Sequence, residues 1–376
     1  MARFLFCSVD SPGLLFCSMG IARAMEERGH EVALITSDSG RRYVEAQGLT
    51  TFPAPSRFSF QTANWGMPDA VGIQLKHIGA AINSFRPAVL VGQQLTIGAI
   101  LSGQMRSIPT VLIGMGTYLW TRPKSDDKFR AWLQREQVKH VTKVCQEFQL
   151  TQCDPNRIWG DRFLVRSFPA FEQPEDLPAE VALIGPCLWE PDVVDFELKQ
   201  MVEEAIVRGQ RVIYVQHGRS FHHPSFWPAF TEAARRSEHL FLASVERMDH
   251  ALSSIPRNVI VRERVPQQFA LTHASAMISS ATTTPVLGSI LHGVPSVLVP
   301  GGGEQPILAE RCRELGIAVV LDRSQLNADQ LEQRITTVVD DASYWESANK
   351  LQASAENWQS FAQACDVLTQ TATAMN

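Results

Sequence analysis

No run of about 18 apolar residues passes unbroken through this chain, so nothing in it reads as a membrane-spanning helix. Positive charge is also missing as a block. The 34 Lys and Arg are outnumbered by 39 Asp and Glu, and the net charge of -5 argues against a protein that tracks nucleic-acid phosphates. Cysteine is sparse and unpatterned: Cys7, Cys17, Cys145, Cys153, Cys187, Cys312 and Cys365 make no CxxC pair. Seven scattered cysteines read as reduced, mostly buried thiols of a cytoplasmic protein. A P-loop is absent, because no GK[ST] occurs, and so is a clustered Asp/His ligand motif. The opening "MARFLFCSVDSPG" is apolar too briefly for a secretory segment, since Asp10, Pro12 and Gly13 interrupt it.

What remains is a folded protein of 376 residues with 45% hydrophobic and 19% charged content. At about 150 residues per domain, that length predicts two domains. Short aliphatic runs alternate with amphipathic segments. "RFLFCSV" predicts a strand, "DSPG" a turn and "GIARAMEERG" a helix; "HEVALITS", "AVLVGQ", "TVLIGM" and "RFLVRS" continue the strands. A helix is expected from Lys128 to about Leu150, with Phe129, Trp132, Leu133, Val138, Val141, Val144 and Phe148 near the 3.6 period. The pattern restarts with "RVIYVQHG", "HLFLASV", "NVIVRERV", "AMISS", "PSVLVPG" and "IAVVLD". Strands that are apolar along their length suit parallel sheets covered on both faces.

These features predict an α/β protein with two Rossmann-like domains facing a cleft, residues 1–185 and 196–376, joined by a Pro-rich linker at 186–195. The last helix is a candidate for packing back on the N-terminal domain.

"MISSATTTPVLGSILHGVPSVLVPGGGEQP" (277–306) concentrates the chemistry. Ser279, Ser280, Thr282, Thr283 and Thr284 crowd the handover from strand to helix, and no charge lies between Ala276 and Gly288. One or two hydroxyls cap a helix; a larger neutral cluster beside free amides can cradle a diphosphate. The glycines of "GGGEQP" permit close approach of a ligand to backbone amides. Glu304 and Gln305 then offer a carboxylate and an amide to sugar hydroxyls, which both donate and accept.

From the first helix and second strand ("ARAMEERGHEVALIT"), through "DRFLVRSFPAFEQP" and "LPAEVALIGPCLWEP", to "RVPQQFALTHASAMISSATTTPVLGSILHGVPSVLVPGGGEQPILAERCRELGIAVVL", the chain resembles GT-B glycosyltransferases of the group that includes plant and macrolide UDP-sugar glycosyltransferases. The resemblance implies that Arg264 stacks on the nucleotide base while Val265 and Gln267 read its edge. It places Ser280 and Thr283 at the diphosphate, with Ala281 and Thr282 on a glycine pair, and sets Glu304 and Gln305 at the donor sugar. Gly218, with His217 and Arg219, matches the turn after the first strand of the second domain. The implied activity is inverting and metal-independent, with no cofactor. A UDP- or dTDP-sugar is the co-substrate, a small, largely apolar metabolite the acceptor, and the protein a monomer or homodimer.

Several positions depart from that pattern. Ser280 replaces the usual phosphate histidine, and Gly288 stands where a glutamate grips ribose hydroxyls, a change that fits a deoxyribose donor and equally fits weak donor binding. Leu14 follows Gly13 where the catalytic histidine is expected, and Gln93 replaces its orienting aspartate. A leucine takes no proton. Asp10, in the same loop, and His217 are the candidate catalytic bases. Leu14, Trp65 and Met115 are candidates for an apolar acceptor pocket. The alternative reading is a glycosyltransferase-like binding protein that has lost turnover.

Overall fold

The computed structural model describes residues 1–53, 57–116, 119–120, 128–172, 177–191, 193–217, 221, 223–245, 254–358 and 361–374. They divide into two compact units, Met1–Trp189 with Trp358–Asn376, and Glu190–Asn357.

The first unit runs β1 (Arg3–Cys7), α1 (Pro12–Glu27), β2 (Glu31–Ile35), α2 (Asp38–Ala46), α3 (Pro68–Phe85), β3 (Val89–Gln93), α4 (Ile97–Arg106), β4 (Thr110–Gly114), α5 (Lys128–Glu147), β5 (Arg162–Val165) and β6 (Val181–Leu183). Its strands pair in parallel in the order β2-β1-β3-β4-β5-β6. Alternation along β1 explains the two-sided burial. Phe4 and Phe6 enter one core, whereas Leu5 and Cys7 enter the core on the other face.

The second unit runs α6 (Phe196–Val207), β7 (Val212–Gln216), α7 (Phe226–Arg235), β8 (Leu240–Ser244), β9 (Val259–Arg262), α8 (Gln267–His273), β10 (Ala274–Ser279), α9 (Thr283–Leu291), β11 (Ser296–Leu298), α10 (Gln305–Glu314), β12 (Ala318–Val320), α11 (Ala328–Asp340) and α12 (Ala342–Glu356). Its sheet is also parallel, in the order β12-β11-β10-β7-β8-β9. The final helix, α13 (Ala362–Thr373), belongs to the first unit. There Ala364, Cys365, Leu368 and Ala372 join the α1 side of the core.

Strand order locates the sites. Each sheet reverses direction of growth once, between β1 and β3 in the first unit and between β7 and β10 in the second. The carboxyl ends of strands at such a switch point leave a crevice for ligands.

Three expectations change. "DSPG" is the start of α1 rather than a free turn, because Pro12 suits the first helical position, whose N–H needs no partner. α5 buries only Gln137, Val141 and Val144. Phe129 and Trp132 remain 37% and 46% exposed and stack on each other at 5.8 Å and 19°. β6 is a strand that the sequence pattern did not predict. It is three residues long and half-buried, too short for a periodic signal.

Candidate functional site

His217 follows β7 and Ser280 follows β10, so the second unit's switch point brings these two positions together. Gly218 and Arg219 lie outside the described residues. His217 is only 3% exposed and its ring stacks on Phe226 at 3.8 Å. An imidazole so covered is badly placed to take a proton from a substrate.

The chain leaves β10 through Ala281, which holds φ at +61° and is fully buried. A left-handed alanine costs roughly 1 kcal/mol, so the turn is held by its surroundings. Ser279 Oγ accepts from Ala281 N at 3.2 Å. Thr282 occupies the N-cap of α9 but makes no side-chain cap hydrogen bond. Ser280 Oγ is buried and has no hydrogen-bond partner among the described residues. Thr283, the first helical residue, donates a hydrogen bond to Glu304 Oε1 and so joins the β10–α9 turn to the start of α10.

The glycine loop differs from expectation. Gly301 N and Gly302 N donate to Gln305 Oε1 at 2.8 and 3.4 Å, and Gln305 is 2% exposed. The amide expected at the donor sugar therefore organises its own loop. A Cβ on Gly301 or Gly302 would meet Phe221 at 2.6 or 2.7 Å, and Gly303 has φ +61°. Packing under Phe221 and backbone conformation account for these glycines, and Glu304 is left as the polar side chain of the pair.

The segment expected at the base is a connected cluster. Arg264 lies 3.8 Å from Glu190, whose carboxylate also accepts from Gln267 N at 3.1 Å and Gln268 N at 2.6 Å. Val265 is 2% exposed, with its N–H 3.4 Å from Ser244 Oγ. Gln267 Nε2 donates to Thr284 O at 3.1 Å and lies where a side chain on Gly288 would be. The missing glutamate and the Gln267 amide are thus one packing solution. Sequence reasoning missed Glu190, since an acid in a Pro-rich stretch carries no local pattern.

In the first unit, Asp10 Oδ2 accepts from Ser37 Oγ at 2.8 Å and Ser39 Oγ at 2.6 Å, and Asp10 N donates to Phe60 O at 2.9 Å. These bonds fix the carboxylate at the end of β1. Gln93 fills the β1/β3 crevice. Its Nε2 lies 2.8 Å from Ser8 Oγ, 2.8 Å from Leu14 O and 3.0 Å from Ser18 Oγ, while its Oε1 accepts from Val9 N at 3.0 Å. Arg166, 1% exposed, donates to Gly13 O at 2.8 Å and Pro186 O at 3.1 Å. The polar side chain at this switch point is thus a neutral amide held by four hydrogen bonds.

The three acceptor-pocket positions differ in exposure. Leu14 is half-buried in the first turn of α1, and half-buried Trp65 packs on His140 at 4.7 Å. Met115 is 2% exposed, so its side chain is core rather than lining. Among the described residues, no group of three or more His, Cys, Asp and Glu is placed to hold a metal ion, and no helix is long and apolar enough to cross a membrane.

Comparison with known proteins finds relatives that share this fold. Residues 230–365 match the family described as "Erythromycin biosynthesis protein CIII-like, C-terminal domain". A 4'-demethylrebeccamycin synthase of Lentzea aerocolonigenes is 22% identical over 402 residues, covering 93% of this chain and 94% of that protein. Among solved structures, the glycosyltransferase of kitacinnamycin superposes with a TM-score of 0.78 at 22% identity, covering 98% and 99% of the two chains. Spinosyn rhamnosyltransferase SpnG, in complex with thymidine diphosphate, superposes with a TM-score of 0.71 at 18% identity over 98% and 100%.

Proposed function

We propose, from the premise that this chain is a GT-B, nucleotide-sugar-dependent glycosyltransferase with an EryCIII-like C-terminal domain, that it transfers a sugar with inversion from a dTDP- or UDP-sugar to a small, largely apolar acceptor. The observation that carries the donor assignment is Ser280. A buried hydroxyl without a partner costs about 1–3 kcal/mol. It sits beside the N-terminus of α9, whose N-cap side chain makes no cap bond. A diphosphate oxygen satisfies the Ser280 hydroxyl and meets the positive end of the helix dipole.

In this reading the Thr283–Glu304 hydrogen bond orients the carboxylate, which grips sugar hydroxyls. Arg264 lies on the base, and Gly288, filled by the Gln267 amide, favours the deoxyribose of dTDP. The acceptor oxygen attacks the anomeric carbon as its bond to the diphosphate breaks. Asp10 receives the acceptor proton. Two hydroxyl donors hold its carboxylate aimed, whereas His217 is buried under Phe226. The reading includes no metal, because the residues assigned to the diphosphate are hydroxyls and helix amides rather than clustered carboxylates.

Calorimetric titration with dTDP and UDP tests the reading. One of them binds the wild-type protein, dTDP more tightly, and Ser280→Ala weakens binding about tenfold without lowering the melting temperature. Binding of neither nucleotide, or unchanged affinity in Ser280→Ala, would sink the donor assignment.

A further inference from the structure

We propose that Glu190 is a positioning residue for the nucleotide, holding the Arg264 guanidinium in place through its carboxylate; this rests on the donor-site reading above. The argument begins at α8. The first amides of a helix need acceptors, and α8 has Pro266 at its N-cap, a residue with no side-chain oxygen to offer. The acceptor comes instead from 77 residues earlier in the chain. Glu190 Oε2 takes Gln267 N at 3.1 Å and Oε1 takes Gln268 N at 2.6 Å.

Those two bonds need only oxygen acceptors. A carboxamide supplies one and so keeps part of the cap. The negative charge has a separate use, because the Arg264 guanidinium lies 3.8 Å from Oε2. The side chains of Arg264 and Glu190 are 25% and 17% exposed, so the pair is only partly screened by solvent. Arginine is a long side chain whose planar head recognises a base only when its orientation is set. Fixing it before the ligand arrives removes an ordering cost from binding. Glu190 is also the first residue of the second unit. The preceding residue, Trp189, packs on Phe16 at 6.0 Å in the first unit. The position is therefore fixed by the course of the chain, and it delivers its carboxylate to the two residues that the donor reading places at the base, Arg264 and Gln267.

The test compares dTDP affinity, donor KM, kcat and melting temperature in the full chain for Glu190→Gln, Glu190→Asp, Arg264→Ala and the double variant Glu190→Gln/Arg264→Ala. Glu190→Gln is expected to weaken dTDP about tenfold and to raise donor KM in proportion, with kcat at saturating donor retained. Glu190→Asp recovers part of the loss. The double variant binds no more weakly than Arg264→Ala alone, since the carboxylate acts only through the arginine. Weakening in Glu190→Gln that adds fully to that of Arg264→Ala would overturn the proposal. Wild-type affinity in Glu190→Gln beside a clear loss in Arg264→Ala would overturn it too, leaving the donor reading intact. Tighter binding in Glu190→Gln would also overturn it, by showing that the carboxylate mainly repels the diphosphate. Failure of the wild-type protein to bind either nucleotide would instead remove the donor reading on which it stands.

Discussion

Replacing Gly288 with alanine sets two effects of similar size against each other. In a helix interior, glycine to alanine gains about 1 kcal/mol. Here the new Cβ overlaps Gln267 Nε2 and comes within 2.9 Å of both Gln267 Cδ and Leu271 Cδ1. The Gln267 side chain must swing away, which breaks its 3.1 Å hydrogen bond to Thr284 O. That loss is about 1 kcal/mol, and the Leu271 contact adds a few tenths more. Stability should therefore change by less than about 1 kcal/mol, on the destabilising side. Nucleotide affinity should respond more clearly, because the displaced amide is one proposed to read the base; a fall of about fivefold is expected. Paired melting curves and dTDP titrations make the comparison, with Gly288→Ala/Gln267→Ala as the control that frees the space. A full gain of about 1 kcal/mol with unchanged dTDP affinity would refute the reasoning. It would mean that Gln267 neither fills the Gly288 notch nor meets the nucleotide.

Asp10→Asn is expected to lower kcat by about 100-fold while leaving dTDP affinity intact. His217→Ala, which removes the stack on Phe226, should instead cost about 1–2 kcal/mol of stability. The reverse ranking in kcat would reassign the base. Burial first, and neighbouring positive charge second, hold His30 and His239 below the ordinary histidine value of 6.5. The folded protein then binds fewer protons than the unfolded chain below that pH. Their contribution is neutral above it and becomes destabilising as pH falls through it. Denaturant midpoints should drop from pH 7 toward pH 5, and His239→Gln should flatten the slope; an unchanged slope would count against that origin. All seven cysteines are free and only Cys145 is half-exposed. Burial also pushes the thiols up, that of Cys312 to about 12 and that of Cys365 to about 11. A thiol reagent should therefore titrate at most one group in the native protein and seven after denaturation. Rapid reaction of several would contradict the packing.

The sequence by itself determined every strand but β6, the parallel sheets and the turn at Ser279–Thr283. Each of these is written in local pattern: aliphatic runs for strands buried on both faces, and hydroxyls with a proline where a strand becomes a helix. The family resemblance also marked Leu14 and Gln93 as departures from its catalytic pattern, because a substitution at a matched position is legible one residue at a time. Only the tertiary structure decided what the polar groups do. Gln305 turns back to its own glycine loop, His217 disappears under Phe226, and Asp10 is claimed by Ser37 and Ser39 from 27 and 29 residues away. Glu190 reaches α8 across 77 residues because Pro266 leaves the helix without a cap of its own. Hydrophobic periodicity is a property of neighbours along the chain. A hydrogen bond is satisfied by whichever acceptor folding brings within about 3 Å, and nothing in local spacing says which one that will be.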